Sequence, residues 1–242
     1  MPPHECYVEA FLGSGAVMRR KRPARFNLGI DLDGAAVQRA ANLVRSGEWI
    51  SARAAPVILG GGGPESWKWL NVDAIGWLGR WTAPPSTVVY CDPPYLMSTR
   101  SCQHRMYRYE LSVDGHRALI EVLLGLSAFV MVSGYPSELY DQALSSWRVV
   151  RYRTMTRGGR MADECLWCNY PEPTELHDYR YLGRDYRERE RIRRKEARWV
   201  RRLSEMAVLE RRAVESALQT VRAHELAAQE AQGSTISRRE AI

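Results

Sequence analysis

The chain has 242 residues, 45% of them hydrophobic, with a formal net charge of +7. That is enough for one packed domain and an appendage, and the basic balance favours a polyanionic partner. Apolar stretches break within about ten residues, which excludes a membrane-spanning helix, and five scattered cysteines read as reduced thiols rather than a disulfide framework.

In chain order, Met1 to His4 lead straight into a strand, Cys6 to Phe11, with no signal-peptide pattern, so a cytoplasmic location is expected. A glycine-bearing turn (Leu12, Gly13, Ser14, Gly15) then passes into a helix, as where a backbone must approach a ligand closely. With no third glycine, it is not the dinucleotide fingerprint. The second strand, Phe26 to Ile30, ends in Asp31 and Asp33; an acid here suits a ribose hydroxyl, with a helix N-cap as the other reading of Asp33. Gly60 to Gly63 reads as a loop, because no Lys, Ser or Thr follows at phosphate-loop spacing. Asp73 ends a third short apolar segment and precedes a helical AIGWLGRW.

The run Thr87, Val88, Val89, Tyr90 has the composition of a buried strand, and Asp92, Pro93, Pro94 and Tyr95 stop it abruptly. A strand end of an open parallel sheet would thus present an acid, a rigid corner and an aromatic ring where ligands bind. In the basic, aromatic stretch that follows, Arg100, Arg105, Tyr107 and Arg108 suit phosphates and unstacked bases, or a solvated loop. A helix over Asp114 to Leu126 and a buried strand to Ser133 come next, with Tyr135 placed either beside the Asp92 corner or in the core. Trp147 to Thr154 and Glu164 to Tyr170 form a last hairpin, with Arg157 and Arg160 at its tip. Cys165 and Cys168 form a CxxC whose setting fits packed thiols better than a metal, and no metal is expected. From about Asp178 to Gln229 the sequence reads as one long charged helix suited to DNA phosphates, to self-association or to a solvated face balanced by i, i+4 ion pairs, and Gly233 to Ile242 as a disordered tail.

The ordered set EAFLGSGAVM, LGIDLD, VDAIGWL, YCDPPY, FVMVSGYPSELYD and RGGRMADECLWCNY resembles the successive motifs of the Dam-like N6-adenine-specific DNA methyltransferases, over Cys6 to Tyr170. The resemblance implies an α/β, Rossmann-like sheet with helices on both faces over residues 1–176; the charge pattern beyond it gives a helical arm at 177–232 and the tail at 233–242. It implies S-adenosylmethionine held by Glu9, Phe11, Gly13, Gly15, Asp31, Asp73 and Asp92. It further implies DNA adenine as the acceptor at Asp92, Pro93, Pro94 and Tyr95, with Arg100, Arg105, Tyr107, Arg108, Tyr135, Arg157 and Arg160 on the nucleic acid. The chain lacks, before its glycine turn, the family's motif that closes over the cofactor. The interval of about ten residues between VDAIGWL and DPPY leaves no room for a target-recognition domain, so low sequence specificity is expected. Phage or restriction-modification settings would suit this size. The alternatives are an impaired DNA-binding relative and a methyltransferase acting on RNA or protein glutamine.

Overall fold

The computed structural model describes residues 1–46, 66–100, 104–155, 159 and 161–239. The Gly60 to Gly63 run and the side chains of Arg157 and Arg160 lie outside the described residues. Contacts divide the chain into two compact units, Met1–Asp178 and Tyr179–Ile242.

The first unit is built on one seven-stranded sheet. Its strands are β1 (Cys6–Ala10), β2 (Phe26–Asp31), β3 (Ser66–Asn71), β4 (Thr87–Cys91), β5 (Phe129–Gly134), β6 (Arg148–Met155) and β7 (Met161–Cys168). The spatial order is β3-β2-β1-β4-β5-β7-β6. β1 to β5 pair in parallel, while β7 runs antiparallel to both β5 and β6. The helices between them are α1 (Ala16–Arg20), α2 (Gly34–Arg45), α3 (Ala74–Leu78), α4 (Val113–Leu124) and α5 (Glu138–Ala143).

The two-residue period of a strand sorts side chains onto opposite faces of the sheet. Cys6, Val8 and Ala10 of β1, with Val89, Cys91, Val130, Val132 and Trp167, pack with Leu78 of α3, Leu119 and Leu123 of α4 and Tyr140 of α5. Tyr7, Val88, Tyr90 and Met131 pack with Met18 of α1 and Ala40 of α2 on the other. Both faces of β1 and β4 are therefore buried, which is why they read as continuous apolar runs. The expected α/β, Rossmann-like sheet with helices on both faces is the one observed. Cys165 and Cys168 sit on opposite faces as buried free thiols, so the CxxC spacing cannot bring their sulfurs together.

Gly29 marks a close approach within this packing. A Cβ there would lie 2.7 Å from the Trp69 ring and 3.0 Å from Leu12 Cδ2. Gly29→Ala is therefore expected to cost about 1–3 kcal/mol through overpacking. A shift in the urea midpoint checks it, and an unchanged midpoint refutes it.

In the second unit the single long helix expected from the sequence is two: α6 (Tyr186–Glu205) and α7 (Val208–Arg239). Met206 leaves the helical region at φ −72° and ψ 148°, and the Ser204 hydroxyl donates to the Val200 carbonyl, a competing bond that bends helices. The α7 backbone continues past Gly233, where a disordered tail is expected from composition. None of the described helices is long and apolar enough to cross a membrane.

Candidate active site

The sheet changes winding direction between β1 and β4: connections from β1 run outward to β2 and β3, and those from β4 run the other way. Such a switch leaves a crevice at the carboxyl ends of the strands. Register places those ends side by side, with Ala10 opposite both Ile30 and Cys91, and Asp31 opposite Asn71.

On the β1 side the chain turns through three left-handed residues, Phe11 (φ 59°), Gly13 (φ 52°) and Gly15 (φ 62°). Glycine adopts this region without steric cost, whereas Phe11 is held there against its preference. Asp31 fixes the turn: its Oδ2 accepts from the Gly13 amide at 2.7 Å and its Oδ1 from the Asp33 amide at 2.7 Å. Asn71 Nδ2 donates to the carbonyls of Asp31 and Leu32, locking the neighbouring corner. A carboxylate has about four acceptor positions, so two remain on Asp31 for hydroxyl donors. The Gly13 amide, by contrast, is already spent on a carboxylate. The turn therefore makes a poor pyrophosphate cradle and a better seat for a ligand with a ribose diol and no phosphate. Among the described residues, a Cβ at Gly13 would meet only the Phe11 carbonyl, at 3.9 Å.

On the β4 side, the Asp92 amide donates to the Ala10 carbonyl at 3.4 Å, tying the two strand ends together. Asp92 Oδ1 accepts from Ser133 Oγ at 2.8 Å, and the Ser133 hydroxyl lies 3.0 Å from the Tyr90 hydroxyl. Ser133 is buried on β5, so this bond orients an otherwise exposed carboxylate. Two prolines end the strand, and among the described residues nothing donates to the Pro93 carbonyl. Tyr95 then meets Tyr135, from the end of β5, edge-on with ring centroids 4.7 Å apart. Burial, then the Asp92 charge, pushes the Tyr95 hydroxyl well above the ordinary range, so it stays protonated.

Several residues expected at the site have partners within the protein. Glu9 is buried at the end of β1, where its Oε2 accepts from the Tyr7 hydroxyl at 2.8 Å and from the Met18 amide at 2.7 Å. It anchors α1 beneath the turn. Phe11 packs partly into the core. Asp73 caps α3 by accepting from the Gly76 amide at 2.7 Å, and Asp33 caps α2. Arg100 is not a surface phosphate contact: its side chain is 4% exposed, bonded to Glu110 and to the Tyr95 carbonyl. Its guanidinium also lies 5.0 Å from the Tyr107 ring centroid. Arg108 reaches Asp33 at 3.3 Å, which ties the segment after β4 to the end of β2. Arg105 is exposed.

Glu9 makes a testable pH dependence. Burial raises its carboxyl to about 7, against the pull of the Tyr7 and Met18 bonds. Its ordinary value is about 4.3, so between these values the native state keeps a proton that the unfolded chain has lost. Stability from this group is complete below about pH 4 and declines as pH rises through 7. Glu9→Gln is expected to flatten that decline between pH 5 and pH 8 in urea titrations. An equally steep variant would refute the assignment.

The sequence reading missed Glu164 and Tyr152. They face each other across the β6–β7 hairpin, and the Tyr152 hydroxyl donates to Glu164 Oε2 at 3.0 Å. Burial, then Asp92, raises the Glu164 carboxyl, with the Tyr152 bond opposing. The available signal was parity: Glu164 stands in β7 on the side of Leu166 and Cys168, where an apolar residue is expected.

Sheet, switch point and paired strand ends define an α/β, Rossmann-like fold with Asp31 and Asp92 on either side of the switch point. No family model and no curated protein matches the chain. Solved structures that are similar include the N-methyltransferase NodS from Bradyrhizobium japonicum, at 12% identity, covering 70% of this chain and 88% of that one with a TM-score of 0.44. Magnesium protoporphyrin IX methyltransferase from Synechocystis is similar at 12% identity over 70% of this chain and 71% of that one, TM-score 0.43. A dimethyladenosine transferase from Plasmodium falciparum is similar at 11% identity over 69% of this chain and 56% of that one, TM-score 0.43. At such values the chemistry has to be read from the residues themselves.

Proposed function

We propose that the chain transfers a methyl group from S-adenosylmethionine to N6 of adenine in DNA, with little sequence specificity. The observation that carries this reading is the Asp92 corner: an oriented carboxylate, a Pro93 carbonyl to which no described residue donates and the Tyr95–Tyr135 pair, next to a turn closed by Asp31.

Bound at the turn, S-adenosylmethionine would supply an electrophilic methyl on a sulfonium, with Asp31 taking its ribose hydroxyls and Gly13 and Gly15 leaving room for it. Asp92 and the Pro93 carbonyl accept the two N6 hydrogens of adenine. Adenine N6 is a poor nucleophile because its lone pair is delocalised into the ring; two acceptors draw it toward tetrahedral geometry and localise that pair. On accepting that methyl, N6 would carry a positive charge that Asp92 stabilises until one of its two protons passes late to solvent. Tyr95 and Tyr135 hold the base, which must leave the duplex at a cost of a few kcal/mol. Positioning both reactants is the main source of acceleration.

The test is label transfer from methyl-tritiated S-adenosylmethionine to unmethylated duplex DNA, RNA and total protein in parallel. Label at adenine N6 spread over many short contexts is expected. Label confined to RNA or protein, or to one DNA site of four or more base pairs, contradicts the reading.

A further inference from the structure

The charge of this protein is unevenly placed. Tyr179–Ile242 holds sixteen of the 35 Lys and Arg and ten of the 28 Asp and Glu, which leaves +6 of the +7 there and Met1–Asp178 nearly neutral. Helix α6 alone has nine basic and four acidic residues.

At about 100° per residue, Arg187, Arg191, Arg194, Lys195, Arg198 and Arg202 fall within one arc of about 100°. All six are exposed, and four of them line one shallow groove together. Arg187, Lys195 and Arg198 make no ion pair among the described residues. Arg191 meets Glu188 at 3.5 Å and Arg194 meets Glu190 at 3.0 Å, while Arg202 lies over the Trp199 ring. Exposed pairs of this kind are worth little and exchange readily for a stronger anion. The stripe runs about 23 Å along the helix, one cation per turn or better. Its guanidinium groups can each grip a phosphate through two parallel bonds.

An anionic lipid surface fits less well. Ile192, Trp199 and Leu203 form only a narrow strip beside the basic face, and Arg189, Arg193 and Glu196 follow immediately beyond it. No apolar face is left that is broad enough to enter a bilayer.

We propose that this face of α6 lies along the phosphate backbone of duplex DNA as a sequence-independent anchor; the choice of DNA among polyanions rests on the function proposed above. Six contacts imply a slope of log K against log salt of about −5, or about 10³-fold weaker binding between 50 and 200 mM salt.

The experiment measures full-length protein on a fluorescent random-sequence duplex across that salt range. Arg187→Gln/Arg198→Gln is expected to weaken binding and to reduce the slope by about 1.8. Arg189→Gln/Arg193→Gln removes the same charge from the other side of α6 and is expected to leave the slope unchanged. Arg187→Lys/Arg198→Lys keeps the charge and is expected to keep the slope, which separates phosphate contact from loss of helix. Equal losses in both glutamine doubles, no loss in either, or tighter binding to duplex RNA or to phosphatidylserine vesicles would overturn the proposal. Its failure is distinct from failure of the enzymatic reading. Labelling of adenine that persists with an unmoved salt slope removes only the anchor, and salt-dependent DNA binding without labelling removes only the enzyme.

Discussion

Replacing Asp92 with alanine is expected to lower methyl incorporation at adenine N6 by about 10²–10³-fold, the loss typical when one preorganised polar contact to a developing charge is removed. The physical reason lies in the timing of charge: in the proposed reaction N6 would become positive as the N–C bond forms, and Asp92 would be the carboxylate that meets it. Asp92→Asn keeps one carbonyl acceptor and the size of the side chain but loses the charge, so most of the loss should remain. Ser133→Ala should cost less, about tenfold, because it frees the Asp92 rotamer without removing an acceptor. In both Asp92 variants S-adenosylmethionine should still bind, since Asp31 and the glycine turn are untouched. Single-turnover labelling with an independent cofactor-binding titration separates the two effects. Full activity in Asp92→Ala would remove the acceptor role altogether.

Removing Glu110 is expected to be the most destabilising change near the site. Its Oε1 accepts from Arg100 Nη1 at 3.0 Å, from the Met106 amide at 2.8 Å and from the Tyr107 amide at 3.1 Å, while its Oε2 accepts from Arg100 Nη2 at 2.7 Å. The two side chains are 4% and 10% exposed, so neither is screened like a surface pair. Glu110→Ala strands a buried guanidinium and should cost about 3 kcal/mol. Arg100→Met/Glu110→Leu, which removes both charges and keeps the volume, should recover much of that loss. The Arg100 bond holds the Glu110 carboxyl down to about 2, well below the 4.3 or so of an unfolded glutamate. Its stabilisation is therefore present above about pH 4 and lost as pH falls toward 2. Urea midpoints at pH 7 and pH 3 test both claims, and a Glu110→Ala loss under about 0.5 kcal/mol would place the pair among ordinary surface contacts.

Because Arg100 also bonds the Tyr95 carbonyl, Glu110 supports the aromatic end of the acceptor corner through its partner. Loosening it should raise the KM for DNA more than it lowers kcat.

The sequence by itself determined the α/β class and where the strands β1, β2, β4 and β5 end. Buried parallel strands leave uninterrupted apolar runs such as Val88 to Cys91, and acids and prolines that cannot continue them, such as Asp31 and Asp92, mark where they stop. It also marked Gly13 and Gly15, since only glycine turns through the left-handed region without cost. Tertiary structure alone decided which polar groups share the strand ends at the switch point. Glu9 and Asp31 look alike in sequence, each an acid at a strand end, yet Glu9 is turned under α1 and Asp31 closes the glycine turn. Arg100 reads as one more basic loop residue until Glu110, ten positions away, draws it inward. Ser133 reaches the Asp92 corner because β5 pairs in parallel with β4, and Tyr152 and Glu164 come near it because β7 inserts antiparallel between β5 and β6, pairings between segments some 40 residues or more from that strand end that no local pattern records. Local chemistry writes the elements; long-range pairing selects which of their side chains share a site.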